Sequence, residues 1–450
     1  MSVRLLHYSD IENAYDEPDR LGRLAGTIAD RRDEATLVFG TGDNTSPGIL
    51  PLVTEGEQAL DFFGAVDPDA DTFGNHDFDF GPDRALDIVD RAPQPWLCAN
   101  VERNGGRFGR DGDVRPWQVF EADGSRVGVF GLVTPRTGSI NPATEDVSFT
   151  DPYAAAREAV DALRDEGVDY VVCLSHLGRG DETLAAEVDV DVILGGHNHA
   201  ELVERLGDTL LTRPGVNGEV LYEVTLPERE ATRHVVAEGP LDEGVRDAMA
   251  ERMAAAGVDD VVATVDEPVG RTEADCFHGE SRVGNFVTDA YRWRTGADVA
   301  MQNAGGIRSG SPLAGEVTVG DLISLIPFDE PLVVAEVTGA ELKAAFAQGE
   351  GSRLGFGEPE WWHAHVSGAT VAYDRDAEEL VSATVDGDPV VDDRTYTLAI
   401  ADYLLHSDDE FPALEERHRV ETVDTQYRVL EAYAREEGID PAIEGRIRHV

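Results

Sequence analysis

The sequence predicts two α/β domains, and three observations support this fold class. The chain has 450 residues, which is too long for one ordinary hydrophobic core and suits two. Over residues 1–237, short β-rich runs alternate with helical patterns, as in a layered α/β sandwich. A helical stretch and then a second α/β pattern follow. We therefore predict a first domain over residues 1–237, a linker helix over 238–258 and a second domain over 259–450.

The elements of the first domain follow from apolar runs, which predict strands, and from amphipathic spacing, which predicts helices. Strands are predicted over residues 3–9, 36–39, 96–101, 126–133, 168–174 and 190–194, with a short extended segment at 71–73. Helices are predicted over residues 19–32 and 152–166, and Asp151 is placed to cap the second helix. Strand, crossover and strand in alternation place the functional loops at the C-terminal ends of the strands.

Polar residues follow these strands in an ordered series, flanked by glycine or small residues. The series is Asp10, Gly42-Asp43, Gly74-Asn75-His76-Asp77-Phe78-Asp79, Ser175-His176 and Gly195-Gly196-His197-Asn198-His199. Taken singly, an Asp after a strand is more often a turn or helix-capping residue, and a histidine there more often packs in the core. Four of the twelve histidines fall in the series, however. Oxygen ligands and imidazoles that converge from several strand ends predict a two-metal hydrolytic site.

The second domain has its own alternation of strands and helices. Helices are predicted over residues 282–294 and 339–348, and strands over 299–302, 332–337, 366–373 and 396–400; the helical stretch over 241–257 is the predicted linker helix. Its key motif is Asn303-Ala304-Gly305-Gly306-Ile307-Arg308, at a strand end. The glycine pair lets the backbone approach a ligand, and Arg308 can fork onto a phosphate or a carboxylate. The alternative is a tight turn with a surface arginine.

The chain is strongly acidic, with 89 acidic residues against 37 basic ones and a formal charge of −52. The carboxylates are dispersed between well-patterned apolar segments, which indicates a halophilic surface rather than disorder. At molar salt the Debye length falls to about 3 Å, so the self-repulsion of such a surface is screened. Because this surface repels phosphate backbones, we expect no duplex nucleic acid as a partner.

The sequence also predicts the cellular location of the protein and the redox state of its cysteines. No apolar run approaches the roughly 20 residues needed to cross a bilayer, so we expect no membrane association. The first residues enter a strand-like segment without the apolar region of a signal peptide, which predicts a cytoplasmic protein. Cys98, Cys173 and Cys276 are far apart in sequence and predict reduced, structural thiols.

The order of the motifs, and above all Gly-Asn-His-Asp-x-Asp at residues 74–79, resembles the calcineurin-like metallophosphoesterases. The resemblance is closer to the 5′-nucleotidase family and covers essentially the whole chain. It implies a four-layer α/β/β/α sandwich in the first domain and an α/β nucleotide-binding second domain. It also implies that a metal-bridging hydroxide hydrolyses a nucleotide phosphate ester. The implied activity is that of a 5′-nucleotidase, which converts a nucleoside 5′-monophosphate to nucleoside and phosphate.

Carried over residue by residue, the resemblance assigns two roles in the first domain. His76 and Asp79 become the catalytic pair. The metal-binding set is Asp10, Glu12, Asp43, Asn75, His176, His197 and His199. Glu12 departs from the family, which usually has histidine there, and the alternative is that Glu12 is only an exposed acid. A carboxylate ligand shifts the preference of the two divalent ions toward Mn²⁺, which we favour; Mg²⁺, Co²⁺ and Zn²⁺ are the alternatives.

In the second domain the resemblance implies contacts with the nucleotide. The residues are Asn303, Gly305, Gly306, Arg308, Phe328, Glu330, Tyr403 and Asp409, with Arg282 in place of a family arginine. Phe328 and Tyr403 would sandwich the base, and Asp409 would bind the ribose hydroxyls. The alternatives are core packing for the rings and a solvated acid for Asp409. Glu330 stands where the family has asparagine, and its carboxylate favours the adjacent N–H donors of guanine over adenine.

Alternative functions from two classes stay open. Within the enzyme class, the alternatives are a 2′,3′-cyclic phosphodiesterase or 3′-nucleotidase and a nucleotide-sugar pyrophosphatase, because the metal site recognises only the phosphoryl group. From another class, the alternative is a catalytically weakened nucleotide-binding sensor. Glu12 and the loop at residues 407–410, which lacks the family's glycines, support the sensor, whereas the intact His76–Asp79 pair opposes it. In each case the expected partner is a small-molecule nucleotide.

Overall fold

The computed structural model describes residues 3–354, 358, 360–407 and 410–450. The chain forms two compact units, of which the first ends at Ala256 and the second begins at Gly257. Both units mix strands with helices, so the predicted α/β class is confirmed. Among the described residues, no helix is both long and apolar enough to span a membrane.

The elements of the first unit are short and mostly buried. Its strands are β1 Val3–Tyr8, β2 Thr36–Gly40, β3 Trp96–Leu97, β4 Val101–Arg103, β5 Gly106–Arg107, β6 Val114–Arg115, β7 Trp117–Ala122, β8 Ser125–Val133, β9 Val147–Phe149, β10 Tyr170–His176, β11 Val192–Gly195, β12 Leu202–Leu206, β13 Thr209–Arg213, β14 Val220–Leu226 and β15 Glu230–Val235. Its α-helices are α1 Pro18–Arg31, α2 Ile49–Thr54, α3 Ala59–Val66, α4 Pro82–Arg91, α5 Thr137–Ile140, α6 Pro152–Asp165, α7 Gly180–Glu187 and α8 Glu243–Ala256. Short 3-10 helices cover Glu12–Asp16, His76–Phe78, Pro142–Thr144 and Val236–Glu238.

Two sheets organise the first unit. The strand order is β15-β14-β1-β2 in the four-stranded sheet and β12-β13-β11-β10-β8-β7 in the six-stranded sheet. β1 pairs in parallel with β2, and β10 pairs in parallel with both β8 and β11. The C-terminal ends of neighbouring parallel strands therefore lie at one edge of each sheet, where the polar series begins.

The alternation of side chains along the strands builds four layers. Leu6 of β1 packs with residues of α1 and α3, whereas the neighbouring Leu5 packs with Leu174 of β10 in the core between the sheets. On the far side of the six-stranded sheet, Cys173 packs with residues of α6 and α7. The order is therefore helices, sheet, sheet, helices, and the predicted α/β/β/α sandwich is confirmed.

The short extended segment at residues 71–73 forms an isolated bridge between Asp71 and Trp96. One predicted strand of the first unit differs from the structure. The segment 96–101 divides into β3 and β4. It does so because Asn100 uses its side-chain amide to bind the backbone of Val133, accepting from its N–H at 3.0 Å and donating to its carbonyl at 2.8 Å.

The helix predicted to link the domains is α8. It packs against α1, and its Val245 and Met249 are buried in the core of the first unit. The predicted limit at residue 237 thus falls before the last helix of this unit.

The second unit also combines sheets with helices. Its strands are β16 Val261–Val269, β17 Val299–Asn303, β18 Leu313–Thr318, β19 Pro331–Thr338, β20 Ala364–Ser367, β21 Ala369–Asp374, β22 Glu379–Val385, β23 Asp388–Pro389, β24 Thr395–Ala401, β25 Arg419–Thr425 and β26 Ile447–His449. Its α-helices are α9 Glu273–Phe277, α10 Arg282–Thr295, α11 Val319–Ile323, α12 Gly339–Gln348 and α13 Gln426–Glu437. Short 3-10 helices cover Ala304–Gly306, Gly351–Arg353, Asp402–Leu405 and Glu416–His418.

The main sheet of the second unit has the order β20-β17-β24-β19-β25. β17 ends at Asn303, so the glycine pair of the key motif follows a strand as predicted. The predicted strand over residues 366–373 divides into β20 and β21, because Gly368 between them adopts a left-handed φ of 75°. The cysteines of both units are buried and free of disulfides, in agreement with the predicted thiols.

Candidate metal and catalytic centre

The candidate ligands of the first unit lie at the strand ends of both sheets. Asp10 follows β1, Asp43 follows β2, His176 ends β10, and His197 follows β11. The first three are almost fully buried, and His197 is partly buried. Parallel strands thus bring residues that are far apart in sequence to neighbouring positions, which is the placement that the strand-end series predicts.

The backbone at these positions is unusual. The angle φ is 47° at Asp10, 45° at Glu12, 51° at Asp43 and 69° at His197. A left-handed φ is uncommon for residues other than glycine and costs on the order of 1–3 kcal/mol. The tertiary contacts of these loops therefore hold the four candidate ligands in conformations that an isolated chain rarely adopts.

Two glycines let the loops approach one another. Gly42 has a φ of 84°, and a Cβ atom there would lie 2.6 Å from Nδ1 of His176. A Cβ atom on Gly74 would lie 2.1 Å from Oδ1 of Asp43. Any larger residue would push these loops apart, so glycine is needed at both positions for the ligands to converge.

The side chains form two donor groups. One group is Asp43, His176 and His197, the other is Asp10, Glu12 and His199, and the ligand atoms of each group lie within 4.8 Å of one another. Nε2 of His176 lies 3.0 Å from Oδ2 of Asp43, and Nε2 of His199 lies 3.1 Å from Oε1 of Glu12. Glu12 is only 4% exposed, so the alternative that it is a solvated acid does not hold.

Buried polar atoms of the site are incompletely paired. Oδ1 of Asn75 makes no hydrogen bond to any described residue, and Oε1 of Glu12 and Nε2 of His176 make none beyond their close contacts with His199 and Asp43. An unsatisfied buried polar group costs about 1–3 kcal/mol, and a cation coordinated by these atoms would remove that cost. Carboxylate, amide and imidazole ligands in this mixture fit divalent ions, so the residues present fit a two-metal centre.

The electrostatics favour the metal-binding protonation state at Asp43 and His197. Burial raises the pKa of Asp43, but the charges of His176 and His76 outweigh burial and hold the pKa well below its usual range. Burial and the charge of His176 lower the pKa of His197 to about 4, so this imidazole is neutral at pH 7. An ionised carboxylate and a neutral imidazole are the forms that coordinate a cation. At His176 burial lowers the pKa, but the charge of Asp43 outweighs burial and raises the pKa to about 10, so a metal ion would have to displace that proton.

His76 and Asp79 form a hydrogen-bonded pair beside the donor groups. Nδ1 of His76 lies 2.9 Å from Oδ2 of Asp79. The carboxylate of Asp79 also accepts from the hydroxyl of Ser46 and the side-chain amide of Asn141, each at 3.1 Å. Burial lowers the pKa of His76, but the charges of Asp43 and Asp79 outweigh it and raise the pKa to about 10. The pair is therefore suited to present a protonated imidazole to an anion.

Asp77 has a positioning role that sequence reasoning missed. Its carboxylate accepts the backbone N–H of Gly74 at 2.7 Å, of Asp43 at 2.9 Å and of Thr45 at 3.1 Å. It thereby ties the loop after β2 to the loop that carries Asn75. Its central place in the Gly-Asn-His-Asp-x-Asp motif was the available signal.

Most of the predicted nucleotide contacts in the second unit lie around Glu410. The residues that come together there are Asn303, Gly305, Gly306, Arg308, Phe328, Glu330 and Tyr403. Nδ2 of Asn303 donates to Glu410 at 2.8 Å, and the hydroxyl of Tyr403 donates to it at 3.1 Å. Burial, and then the charges of Asp402 and Glu410, raise the pKa of Glu330 to about 7. Sequence reasoning treated Glu410 only as part of the altered loop.

The two predicted stacking rings have different surroundings. The guanidinium of Arg308 lies over the ring of Phe328, 4.7 Å from its centre, so one face of that ring is covered. The hydroxyl of Tyr403 is held by Glu410 and also accepts from the hydroxyl of Ser407 at 3.2 Å. Arg308 therefore covers one face of Phe328, whereas the Tyr403 ring is anchored through its hydroxyl.

Arg282 does not join this group. Its Nε donates to the carbonyl of Pro441 at 2.8 Å, and its Nη1 donates to the carbonyl of Pro268 at 3.1 Å. These backbone contacts occupy the guanidinium, which corrects the prediction that Arg282 contacts the nucleotide. Asp409 lies outside the described residues.

Comparisons with known proteins match both units. The family model for calcineurin-like phosphoesterases matches residues 3–201, and the model for the 5′-nucleotidase C-terminal domain matches residues 261–416. The chain is 24% identical over 514 residues to the trifunctional nucleotide phosphoesterase protein YfkN of Bacillus subtilis, with 100% of this chain but only 35% of that protein covered. It is 26% identical over 479 residues to a 5′-nucleotidase of Diplobatis ommata, with 93% and 82% covered. The crystal structure of a 5′-nucleotidase precursor from Thermus thermophilus has 26% identity and a TM-score of 0.72, with 100% and 99% covered.

The relatives overturn the predicted cytoplasmic location. One of them is named cell wall protein Lmo0130 of Listeria monocytogenes; it is 27% identical, with 87% of this chain and 59% of that protein covered. The Thermus structure is that of a precursor. Both names point away from the cytoplasm, so the composition of the first residues was a poor guide to location.

Proposed function

The chain belongs to the calcineurin-like metallophosphoesterases with a 5′-nucleotidase C-terminal domain, and from this membership we propose that it converts nucleoside 5′-monophosphates to nucleoside and phosphate. It is a phosphoric ester hydrolase. The observation that carries the proposal is the placement of the His76–Asp79 pair beside two donor groups, with the buried and unpartnered Oδ1 of Asn75 among them.

The proposed metal-binding residues are Asp10, Glu12, Asp43, Asn75, His176, His197 and His199. Two divalent ions held there would supply Lewis acidity and lower the pKa of a water molecule, so that it attacks phosphorus near neutral pH. We favour Mn²⁺, because Glu12 contributes a hard oxygen ligand where the family usually has an imidazole.

The chain's own contribution to the reaction is charge stabilisation and proton delivery. The side-chain amide of Asn75 lies in the same loop as His76, where its N–H groups can bind a phosphoryl oxygen. The protonated His76 would stabilise the leaving oxygen of the nucleoside and donate a proton to it as the P–O bond breaks. Asp79 fixes the orientation of the imidazole and supports its charged form.

The second unit would bind the nucleoside part of the substrate. Arg308 covers one face of Phe328, so a base would stack on the other face. The charge of Arg308 acts on the nearby Glu330, and the Glu330 carboxylate would accept hydrogen bonds from the base. The ring of Tyr403 would stack on the base, while its hydroxyl donates a hydrogen bond to Glu410.

A screen of product formation tests the proposal, by phosphate release for the monophosphates and by chromatography for the cyclic monophosphates and UDP-glucose, whose hydrolysis frees no phosphate in the first step. The panel contains 5′-monophosphates, 3′-monophosphates, 2′,3′-cyclic monophosphates and UDP-glucose, each with Mn²⁺, Mg²⁺, Co²⁺ or Zn²⁺ in turn, in about 2 M KCl to screen surface charge. We expect the highest kcat/KM with a 5′-monophosphate and Mn²⁺, and near-complete loss in an Asp43→Asn variant. Faster turnover of the cyclic or 3′ substrates, or no phosphate release with any metal, would contradict it.

A further inference from the structure

Glu410 is a buried carboxylate among the predicted nucleotide contacts of the second unit, and only 7% of the residue is exposed. Its Oε2 accepts from Nδ2 of Asn303 at 2.8 Å and from Nε2 of His363 at 2.5 Å. Its Oε1 accepts from the hydroxyl of Tyr403 at 3.1 Å. A buried carboxylate is costly unless donors surround it, and here donors from three separate segments do so. Glu410 thus connects the ends of β17 and β24 to the segment before β20.

His363 is the partner that stabilises the charge of this carboxylate. Burial raises the pKa of Glu410, but the hydrogen bond and the charge of His363 outweigh burial and hold the pKa below its usual range. Because an ionised carboxylate can only accept, Nε2 of His363 carries the hydrogen that joins the two side chains. Hydrogen bonds to a charged group are about twice as strong as neutral ones, so the pair is the strongest contact of Glu410.

The imidazole of His363 is itself fixed, and no part of the residue is exposed. It stacks with the rings of Phe277 and Phe411, whose centres lie 5.8 Å and 5.9 Å away and whose planes are inclined by 27° and 17°. The carbonyl of His363 also accepts the backbone N–H of Ala304 at 3.0 Å. A Cβ atom on Gly305 would lie 3.3 Å from Cε1 of the imidazole. The key motif of the second unit therefore packs directly against this histidine.

The contacts of Glu410 fix two residues that are predicted to bind the nucleoside. The amide of Asn303 is held at both ends, since its Oδ1 also accepts from Nε2 of Gln302 at 2.8 Å. The hydroxyl of Tyr403 is held by Glu410 and by the hydroxyl of Ser407. Neither side chain has to be ordered when a ligand arrives, and such preorganisation raises affinity because less entropy is lost on binding.

We propose that His363 and Glu410 are positioning residues for the nucleoside part of the substrate, because together they hold the amide of Asn303 and the ring of Tyr403 in place to bind it. This inference rests on the proposed function, since it takes the second unit to bind the nucleoside. The pair touches no reacting atom, so it should act on the affinity for the substrate and leave the chemical step unchanged. Phosphate esters without a nucleoside should not depend on it.

Steady-state kinetics of matched His363 variants test the assignment. His363→Phe keeps an aromatic ring beside Phe277 and Phe411 but removes the donor to Glu410. We expect KM for AMP and for GMP to rise about tenfold, which corresponds to about 1.4 kcal/mol, while kcat stays within about twofold. His363→Gln restores a donor and should recover most of the loss. All variants should hydrolyse p-nitrophenyl phosphate, which has no nucleoside, as the parent protein does.

A second histidine and the partner acid complete the design. His418 is also buried in this unit, with Nε2 3.3 Å from Oε1 of Glu341, and His418→Phe should leave every KM unchanged. Glu410→Gln keeps the size of the side chain, so it tests the pair even where His363→Phe does not fold. Its loss should not add to that of His363→Phe in the double variant, because the two residues act as one unit. Equal losses for nucleotides and p-nitrophenyl phosphate, or an unchanged KM in both single variants, would overturn the proposal.

A binding measurement separates this proposal from the proposed function. Equilibrium dialysis of the full chain with adenosine and with guanosine measures nucleoside affinity without hydrolysis. We expect His363→Phe and Glu410→Gln to weaken the binding of the preferred nucleoside about tenfold and His418→Phe to leave it unchanged. If no nucleotide is hydrolysed but nucleoside binding depends on the pair, the proposed function fails and the positioning role stands. If the nucleoside affinity is the same in all variants, the positioning role is refuted.

Discussion

The backbone N–H of His76 donates to Oδ1 of Asp43 at 2.7 Å. The other oxygen of Asp43 lies 3.0 Å from Nε2 of His176 in one of the donor groups. The proposed general acid is thus fixed, through its own backbone, to the carboxylate at the centre of the proposed metal site. A displacement of either loop would disturb catalysis and metal binding together, whereas removal of the imidazole alone should disturb only catalysis.

We predict that His76→Ala lowers kcat by about 10²–10⁴-fold, because a positioned general acid contributes about that much. Its metal content, measured by mass spectrometry after dialysis, should remain that of the parent protein, since the backbone bond to Asp43 is kept. His234, which lies 2.9 Å from Glu223 in the same unit, offers a matched control, and His234→Ala should keep full activity. A fully active His76→Ala variant would remove this residue from the mechanism.

Substitution of Glu12 should change which metals are bound. Glu12→Ala removes one ligand of the group that contains Asp10 and His199, so we expect one of the two ions to bind at least tenfold more weakly. Glu12→His supplies an imidazole and should shift the preference from Mn²⁺ toward Zn²⁺. Competitive metal titration followed by elemental analysis measures both effects. An unchanged preference in both variants would show that Glu12 is not a ligand.

The alternation of strands and helices predicted the sandwich well, because each layer depends on local periodicity. The predicted elements over residues 3–9, 19–32, 126–133 and 152–166 agree with the observed bounds to within one residue at each end. The predicted strand over residues 96–101 divides into β3 and β4 because the side chain of Asn100 binds the backbone of Val133. Such a contact depends on a partner far away in sequence and leaves no periodic signal.

The sequence predicted the site residues that would themselves bind a ligand, but not the residues that position them. Asp43 and His176 could be identified because they follow strands whose ends must converge. Asn141 holds Asp79 from a distant loop, and Glu410 joins Asn303 to Tyr403 across the second unit. Their roles arise from tertiary contacts, so neither spacing nor residue type distinguishes them in advance.

The stability of the first unit should depend on the titration of Asp71. Burial, and then the charge of Asp77, raise the pKa of this carboxyl to about 8, above its value of about 4 in an unfolded chain. Below pH 4 both states are protonated, so burial of Asp71 carries no ionisation penalty. Between pH 4 and 8 the unfolded state loses the proton first, and the folded state loses stability by at most about 1.4 kcal/mol per pH unit.

The Asp71→Asn variant isolates this effect. It keeps an acceptor for the hydroxyl of Tyr8, which donates to Asp71 at 2.9 Å, and removes the titrating proton. We expect the unfolding free energy of the variant minus that of the parent to grow from pH 4 to pH 8 and then to level off. Denaturant titrations at several pH values measure it, and a difference independent of pH would contradict the assignment.

Glu330 should make the base preference depend on pH. Its pKa of about 7 means that the carboxylate, which accepts from the two adjacent N–H groups of guanine, predominates above that pH. We therefore predict that the ratio of kcat/KM for GMP to that for AMP rises from pH 6 to pH 8, reaching about ten. Glu330→Asn should abolish the rise, whereas Glu336→Gln, an exposed acid on the same strand β19, should not. A clear preference for AMP at pH 8 would refute the role of Glu330 in base selection.

Salt should stabilise the whole chain, because its formal charge of −52 is spread over the surface. Raising KCl from 0.1 M to 1 M shortens the Debye length from about 10 Å to about 3 Å, which screens repulsion in the compact state more than in the expanded unfolded chain. We expect the melting temperature to rise steeply over this range and to level off above it. Sucrose at matched osmolality separates charge screening from general exclusion effects, and it should reproduce only a small part of the rise. A melting temperature that does not respond to KCl would contradict the halophilic interpretation of the acidic surface.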